Sequence, residues 1–280
     1  MCRKKAFAPY DGERCHGPVL AAVKLTFLGT GTSFGVPQLG CDCAVCHSRD
    51  PRDRRTRVGA AVETDDGRII LIDTPPELRL QLVQAEIAQV DAVLFTHDHA
   101  DHTHGIDDLR AITARRHVHL PLYGSADTLH SIEQKFRYIF DDNIKPLPGT
   151  SKPQGRAVVM AGGETMRIAG IGVTAVPVPH GAVDVFAYRI GPLAYVTDAK
   201  SVPVEALHVL RGARVLVVNA LFRRPHPSHL SLAEALEVAR SIGADRTFLT
   251  HLTHDNCHAD LEAELPAGVA PAFDGLALTI

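Results

Sequence analysis

The 280-residue sequence has no tryptophan, and aromatic residues make up only 5% of it. No apolar run approaches the ~18 residues that a membrane span requires. The first residues carry Arg3, Lys4 and Lys5, but Asp11, Glu13 and Arg14 break up the stretch beyond them, so no secretory h-region forms. A net charge of −3 leaves no electrostatic footprint for bulk nucleic-acid binding. Six cysteines in a chain this long do not form the framework of a small disulfide-bonded secreted domain. Together these absences point to a cytoplasmic protein with no membrane partner and argue against a nucleic-acid partner.

The remaining composition is 45% hydrophobic and 22% charged, ordinary for a globular chain and enough for one large α/β domain. The expected division is a flexible lead over residues 1–22, which carries Cys2, Cys15 and His16, followed by a single domain over 23–280. Sixteen histidines stand out, and most fall in a few short motifs.

The densest motif is Thr96-His97-Asp98-His99-Ala100-Asp101-His102. It comes after Asp91-Ala92-Val93-Leu94-Phe95, an apolar run that reads as a buried strand. Imidazole and carboxylate are ligands for first-row metals, and H-x-H-x-D-H offers four of them within six residues at a rigid strand end. His97 and His99 can reach one metal, while Asp101 and His102 can turn to a second.

Upstream, Lys24 to Leu28 reads as a strand entering Gly29-Thr30-Gly31-Thr32-Ser33. This turn lacks the G-K-[ST] ending of a P-loop and the third glycine of a dinucleotide fingerprint, so it is read as a tight turn near the site. Cys41-Asp42-Cys43-Ala44-Val45-Cys46 comes next. Three thiolates fit a tetrahedral zinc site that lacks one ligand, and a redox pair is the alternative. Arg57–Glu63 and Arg68–Asp73 pair as a hairpin across Asp65-Asp66-Gly67. Asp73, at the end of that hairpin, either orients a metal ligand or caps the helix expected over Glu77–Ala88.

Past the dense motif, helices are expected over Asp107–Arg115, Thr128–Tyr138, Val204–Leu210 and Ser231–Ile242. Strands are expected over Leu120–Tyr123, Val158–Met160, Thr165–Ile168, Val173–Val178, Phe186–Ile190, Leu193–Thr197, Val215–Asn219 and Arg246–Thr250. The Pro- and Gly-rich stretch from Asp141 to Gly155 reads as a long loop, a lid or a partner-binding segment. Three more polar residues sit at strand exits: His180, Asp198 and His251. Strands alternate with helices in both halves, without a repeat-length period, which argues one α/β domain.

On these residues the chain resembles the metallo-β-lactamase-fold hydrolases. Thr96 to His102 is similar to that superfamily's H-x-H-x-D-H signature, with His180, Asp198 and His251 as its later single-residue motifs. Within the superfamily the chain is most similar to the branch that includes the phosphoribosyl cyclic phosphodiesterase of phosphonate breakdown. That similarity rests on Gly29 to Ser33, Gly35-Val36-Pro37, the three cysteines, and His251-Leu252-Thr253-His254.

The resemblance implies a four-layer αββα sandwich and a binuclear phosphodiesterase acting on a small cyclic or nucleotide-like diester. It implies two zinc or manganese ions, with iron also compatible, that activate water. His97, His99 and His180 would hold one ion, Asp101, His102 and His251 the other, and Asp198 would bridge them. Cys41, Cys43, Cys46 and His254 would hold a structural zinc. His229, just before a helix, would be a catalytic acid or charge stabiliser. Arg223, Arg224 and His226 would contact the substrate phosphate, and a homodimer is expected. The competing readings are a thioesterase, a lactamase, a tRNA 3′-end endonuclease and a di-iron redox protein.

Overall fold

Val215-Leu216-Val217-Val218 is apolar at every position, which a strand tolerates only when both of its faces are covered. In the computed structural model, which describes residues 22–280, this run is a central strand of such a sheet. Val215 and Val217 face a second sheet, while Leu216 and Val218 face helices. The lead with Cys2, Cys15 and His16 lies outside the described residues.

The strands are β1 (Val23–Gly29), β2 (Gly59–Thr64), β3 (Ile69–Ile72), β4 (Ala92–Leu94), β5 (Leu120–Gly124), β6 (Gly155–Val159), β7 (Thr165–Ile168), β8 (Ile171–His180), β9 (Val183–Ile190), β10 (Leu193–Val196), β11 (Val215–Asn219), β12 (Arg246–Thr250), β13 (Val269–Pro271) and β14 (Ala277–Thr279). The helices are α1 (Leu78–Gln84), α2 (Ala100–Thr103), α3 (Arg110–Arg116), α4 (Ala126–Lys135), α5 (Arg137–Phe140), α6 (Val204–Leu210), α7 (Leu232–Ile242) and α8 (His258–Glu264).

Two seven-stranded sheets result, in the orders β14-β1-β2-β3-β4-β5-β6 and β13-β12-β11-β10-β9-β8-β7. Leu25, Phe27, Ile70 and Leu94 of the first sheet pack against Val173, Tyr188, Tyr195 and Val217 of the second. Outside the first sheet, Leu71, Val93 and Leu122 meet Leu78, Leu82, Leu129 and Ile132 on α1 and α4. Outside the second, Val196, Leu216 and Val218 meet Leu210, Ala235 and Ile242 on α6 and α7. This is the expected α/β fold, a four-layer αββα sandwich. None of the described helices is long and apolar enough to cross a membrane.

Several expected bounds move for local reasons. The helix expected over Glu77–Ala88 stops at Gln84, and Glu86 takes a left-handed φ of 56°. The helix expected over Thr128–Tyr138 breaks at Phe136, whose φ of −124° is not helical, into α4 and α5. Its start is set by Ser125, which accepts from the Thr128 amide. The helix expected over Asp107–Arg115 begins as a 3-10 turn at Ile106–Leu109 and continues as α3. Strand β6 starts at Gly155, inside the expected loop, because Gly155 to Val159 find parallel partners along β5. The Ser231 cap of α7 is a full capping box, reciprocated by Glu234.

Candidate metal centre

The chain exits of β4, β8, β10 and β12 meet along one edge of the sandwich. The dense histidine motif leaves the first sheet there, and His180, Asp198 and His251 leave the second. Asp73 lies at the exit of β3 in the same place. Asp73, Asp198 and His251 all adopt left-handed backbone conformations, with φ of 64°, 57° and 56°. Such angles in non-glycine residues cost free energy and persist only where the surroundings enforce them, commonly at functional sites.

Asp198 sits at the middle. Its Oδ2 lies 3.7 Å from His97 Nε2, 3.4 Å from His102 Nε2 and 3.3 Å from His229 Nε2, and its Oδ1 lies 3.4 Å from His251 Nε2. His102 Nε2 is also 3.6 Å from Asp101 Oδ2. Ligand atoms of His97, His99 and His180 fall within 4.8 Å of one another, as do those of Asp101, His102 and His251, those of His97, His102 and Asp198, and those of His180, Asp198 and His229. The structure therefore brings all seven expected ligands and His229 into one cluster.

The ring nitrogens show which way the cluster faces. His102 Nδ1 is 2.7 Å from Asp73 Oδ2, His180 Nδ1 is 2.9 Å from the Ser228 carbonyl oxygen, and His97 Nδ1 is 3.0 Å from Thr96 Oγ1. These partners leave each Nε2 turned inward. His97 Nε2, His102 Nε2 and both nitrogens of His251 are buried with no hydrogen-bond partner among the described residues. A folded protein rarely tolerates so many unpaired buried nitrogens, whereas inward nitrogens braced from behind are what a metal site requires. The donor set of imidazole and carboxylate suits divalent first-row ions.

Electrostatics agree with this geometry at His97, His251 and Asp198, whereas at His102 burial is outweighed by Asp198 and Asp73, which hold the ring above its ordinary value. Burial, reinforced by His102, holds the His97 imidazole well below its ordinary value, and burial holds His251 down at about 4. Both rings are thus kept in the neutral form that ligates. Burial alone would push Asp198 up, but His251 and His102 outweigh it and keep the carboxylate ionised. Asp73 is pushed up by burial, against the pull of His102.

Asp73 does not cap α1, whose N-cap is Glu77 without a side-chain bond. It accepts instead from the Thr96 amide and hydroxyl, both at 2.8 Å, as well as meeting His102. His229 Nδ1 is 2.9 Å from Ser228 Oγ and 3.3 Å from His226 Nδ1, and its ring stacks on His251 at 5.0 Å. Arg223 and Arg224 are directed elsewhere. Arg223 pairs with Glu264 at 2.6 Å, and the Arg224 guanidinium lies 4.4 Å from the centre of the Phe222 ring.

Sequence reasoning does not single out Thr96 or Ser228. Their positions, directly before His97 and between His226 and His229, are the only signals they offer. The turn after β1 does lie beside the site: Gly31 bridges Leu252, next to His251. A Cβ on Gly31 would stand 2.7 Å from the Arg55 carbonyl oxygen, so the close approach of these chains requires glycine.

Cys41, Cys43, Cys46 and His254 form a separate group. The three Sγ atoms lie 3.1, 3.5 and 3.7 Å from His254 Nδ1. A tetrahedral zinc with bonds of about 2.3 Å to sulfur and about 2.1 Å to nitrogen has S···N edges of about 3.6 Å, so these donors fit one ion. The Cys46 amide pulls the Cys43 thiol down to about 6, and burial pushes Cys46 up to about 11.

Residues 68–252 match the Beta-lactamase superfamily domain, a span that contains all seven donors of the strand-end cluster. The chain is 38% identical, over 91% of its length, to a Porphyromonas gingivalis protein named octanoyltransferase. It spans about half the length of the curated relatives it matches, 51% of this one. Among solved structures, a diphosphatase from the PhnP family is 38% identical with a TM-score of 0.85, over 92% of this chain and 97% of that one. Zinc-bound PqqB from Methylobacterium extorquens shares the fold at 20% identity, with a TM-score of 0.72 over 91% of this chain and 99% of that one. With two sheets packed between helices and a cluster of donors suited to divalent metal, the chain belongs to the beta-lactamase superfamily, with the metallo-β-lactamase fold and in its PhnP-like branch.

Proposed function

We propose that this chain is a binuclear metal-dependent phosphodiesterase that cleaves a small cyclic or nucleotide-like phosphodiester. The observation that carries this reading is the ring of inward, unpartnered imidazole nitrogens around Asp198, with His229 beside it. Likeness over nearly its whole length to a protein named a diphosphatase supports a phosphoryl substrate.

In this reading His97, His99 and His180 hold one ion, Asp101, His102 and His251 hold the other, and Asp198 faces both. Zinc, manganese and iron all suit these donors. Ions bound there supply Lewis acidity, which favours ionisation of water near neutral pH and polarises a phosphoryl oxygen. Asp73 keeps His102 in the tautomer that presents Nε2, and the Ser228 carbonyl does the same for His180. His229 holds a proton at Nε2, on the side facing Asp198, and passes it to the leaving oxygen. His226, whose ring centre is 5.2 Å from that of His229, is placed to meet a substrate phosphate. Arg224 could join it by leaving Phe222, whereas Arg223 would first have to release Glu264. Cys41, Cys43, Cys46 and His254 hold a structural zinc that ties the N-terminal loop to the loop after β12.

Hydrolysis of bis(p-nitrophenyl) phosphate by purified protein, with zinc or manganese and with a chelated control, tests the reading. Metal-dependent turnover of the diester, with little on p-nitrophenyl phosphate, a lactam or p-nitrophenyl octanoate, is the expected result. No diester turnover by metal-loaded protein, or preferred turnover of the octanoate ester, would remove it.

A further inference from the structure

The seven cluster donors come from two sheets. His97, His99, Asp101 and His102 lie beyond β4 of the first sheet, while His180, Asp198 and His251 mark the exits of β8, β10 and β12 of the second. The apolar contacts between the sheets are non-directional and constrain their relative slide less sharply than a hydrogen bond does. A metal pair needs that slide fixed, because its ligand distances vary by only a few tenths of an ångström.

Strand β9 supplies no donor, yet it lies between the strands that lead to His180 and Asp198 and is hydrogen-bonded to both. Two of its residues reach across to the chain directly ahead of His97. The Tyr188 hydroxyl donates to the Phe95 carbonyl oxygen at 2.6 Å, and the Phe186 amide donates to the Thr96 carbonyl oxygen at 2.9 Å. Tyr188 and Phe95 are both wholly buried. A hydrogen bond of this length between groups shut away from water is directional, and no solvent competes for either partner.

We propose that Tyr188 is a positioning residue for the metal centre, setting the first-sheet donors in register with those of the second sheet. This rests on the two-metal reading above. Tyr188 touches neither metal ligand nor substrate, and it acts through the Phe95–Thr96 backbone that carries His97. Thr96 extends the effect, since it bonds Asp73, and Asp73 braces His102.

The structure contains its own control. Tyr195 stands directly opposite Tyr188 on β10, is equally buried in the same layer, and its hydroxyl has no hydrogen-bond partner among the described residues. Removing one oxygen from either residue leaves the packing shape unchanged, but only at position 188 does it break a bond across the sheets.

The test is a titration of chelator-treated protein with Mn(II), monitored by electron paramagnetic resonance. Manganese favours the imidazole and carboxylate cluster over thiolates, and two adjacent Mn(II) ions give an exchange-coupled signal that single ions do not. Wild type should show the coupled pair. Tyr188→Phe should bind the second ion roughly 10-fold more weakly, the low end of what outer partners of ligands contribute, and its coupled signal should be weaker or altered. Tyr195→Phe should titrate as wild type. A merely structural role would lower the melting temperature of Tyr188→Phe and leave the coupling of its folded fraction unchanged. An unchanged second-ion constant and coupling in Tyr188→Phe, or an equal loss in Tyr195→Phe, would overturn the proposal. Absence of a coupled pair in wild type would instead remove the two-metal reading. Should Tyr188→Phe fail to fold, 3-fluorotyrosine at position 188 keeps the hydroxyl and the shape but changes the strength of the donor. It must then shift the second-ion constant, and no shift would overturn the proposal.

Discussion

Arg55 is a wholly buried cation, and among the described residues one carboxylate, that of Asp53, is in contact with it. Its Nη2 meets Asp53 Oδ1 at 3.1 Å and the Asn256 carbonyl oxygen at 2.7 Å, while Nη1 meets the Thr253 carbonyl oxygen at 3.0 Å. Asp53 Oδ1 also accepts from the His258 amide at 2.8 Å. Burial pushes the Arg55 pKa down, against the opposing pull of Asp53, yet a guanidinium stays charged at any ordinary pH. The pair therefore pins the segment from His251 to His258, which carries His251 of the strand-end cluster and His254 of the cysteine group, against the loop beyond the cysteines.

Replacing Arg55 by Met leaves Asp53 buried without a countercharge, and breaking a buried pair in this way costs about 3–5 kcal/mol. For a domain of this size each kcal/mol moves the melting temperature by about 2–4 °C, so a fall of roughly 10 °C is expected. Adding Asp53→Asn to Arg55→Met removes the stranded charge and keeps an oxygen for the His258 amide. The double variant should therefore be more stable than Arg55→Met alone, by about 1–2 kcal/mol, and still short of wild type because two carbonyl groups lose their donor. Urea unfolding at fixed free zinc measures all three proteins, with unchanged m-values as the check that the same surface unfolds. A loss below about 1 kcal/mol in Arg55→Met, or a double variant no better than the single, would refute the argument.

Replacing His229 by Ala should cut diester turnover by about 10²–10⁴-fold with metal content unchanged, as for loss of a general acid, measured by kinetics alongside elemental analysis. A normal rate would remove the general-acid role of His229. Cys43→Ser should lose one equivalent of bound zinc and melt at lower temperature, because a structural zinc contributes folding free energy. Glu234 sets a pH dependence. Burial alone would push it up, but Lys200 and the amide and hydroxyl of Ser231 hold it down at about 2, against an ordinary 4.5. Its stabilisation is thus complete above pH 4.5 and lost as pH falls from 4.5 toward 2. The shift alone would amount to about 3 kcal/mol, and side-chain exposure of 35% reduces it to about 1 kcal/mol. Glu234→Gln should remove that component from the acid limb of a stability–pH curve.

How much of this is legible in the sequence depends on how local each feature is. The runs Val204–Leu210, Val215–Asn219 and Arg246–Thr250 carry their own pattern and lie where the pattern puts them. The donors of the strand-end cluster are legible for a related reason. A strand shorter than the sandwich edge must deliver its last residue there, so a polar residue after an apolar run is already placed in space. Strand β6 begins before its expected start, and β13 and β14 have no counterpart among the expected strands, because short strands are defined by partners far along the chain. Leu25 of β1, for example, pairs with Leu278 of β14. Helix α8 has Leu261 as its only buried aliphatic residue, too few for a helical period to emerge.

Arg55 and Tyr188 are hidden for the same reason at greater range. Nothing within ten residues of Tyr188 marks it apart from Tyr195, its neighbour across the hairpin. The carbonyl oxygen that makes the difference belongs to Phe95, ninety-three positions away in the other sheet. A sequence pattern records which side of a strand faces the core, and that is enough to place ligands at a sheet edge. It does not record which backbone group waits on the far side of the core. The donors gathered at this edge can therefore be read in advance, whereas the hydrogen bonds that cross the core, such as that of Tyr188 to Phe95, emerge only in the folded structure.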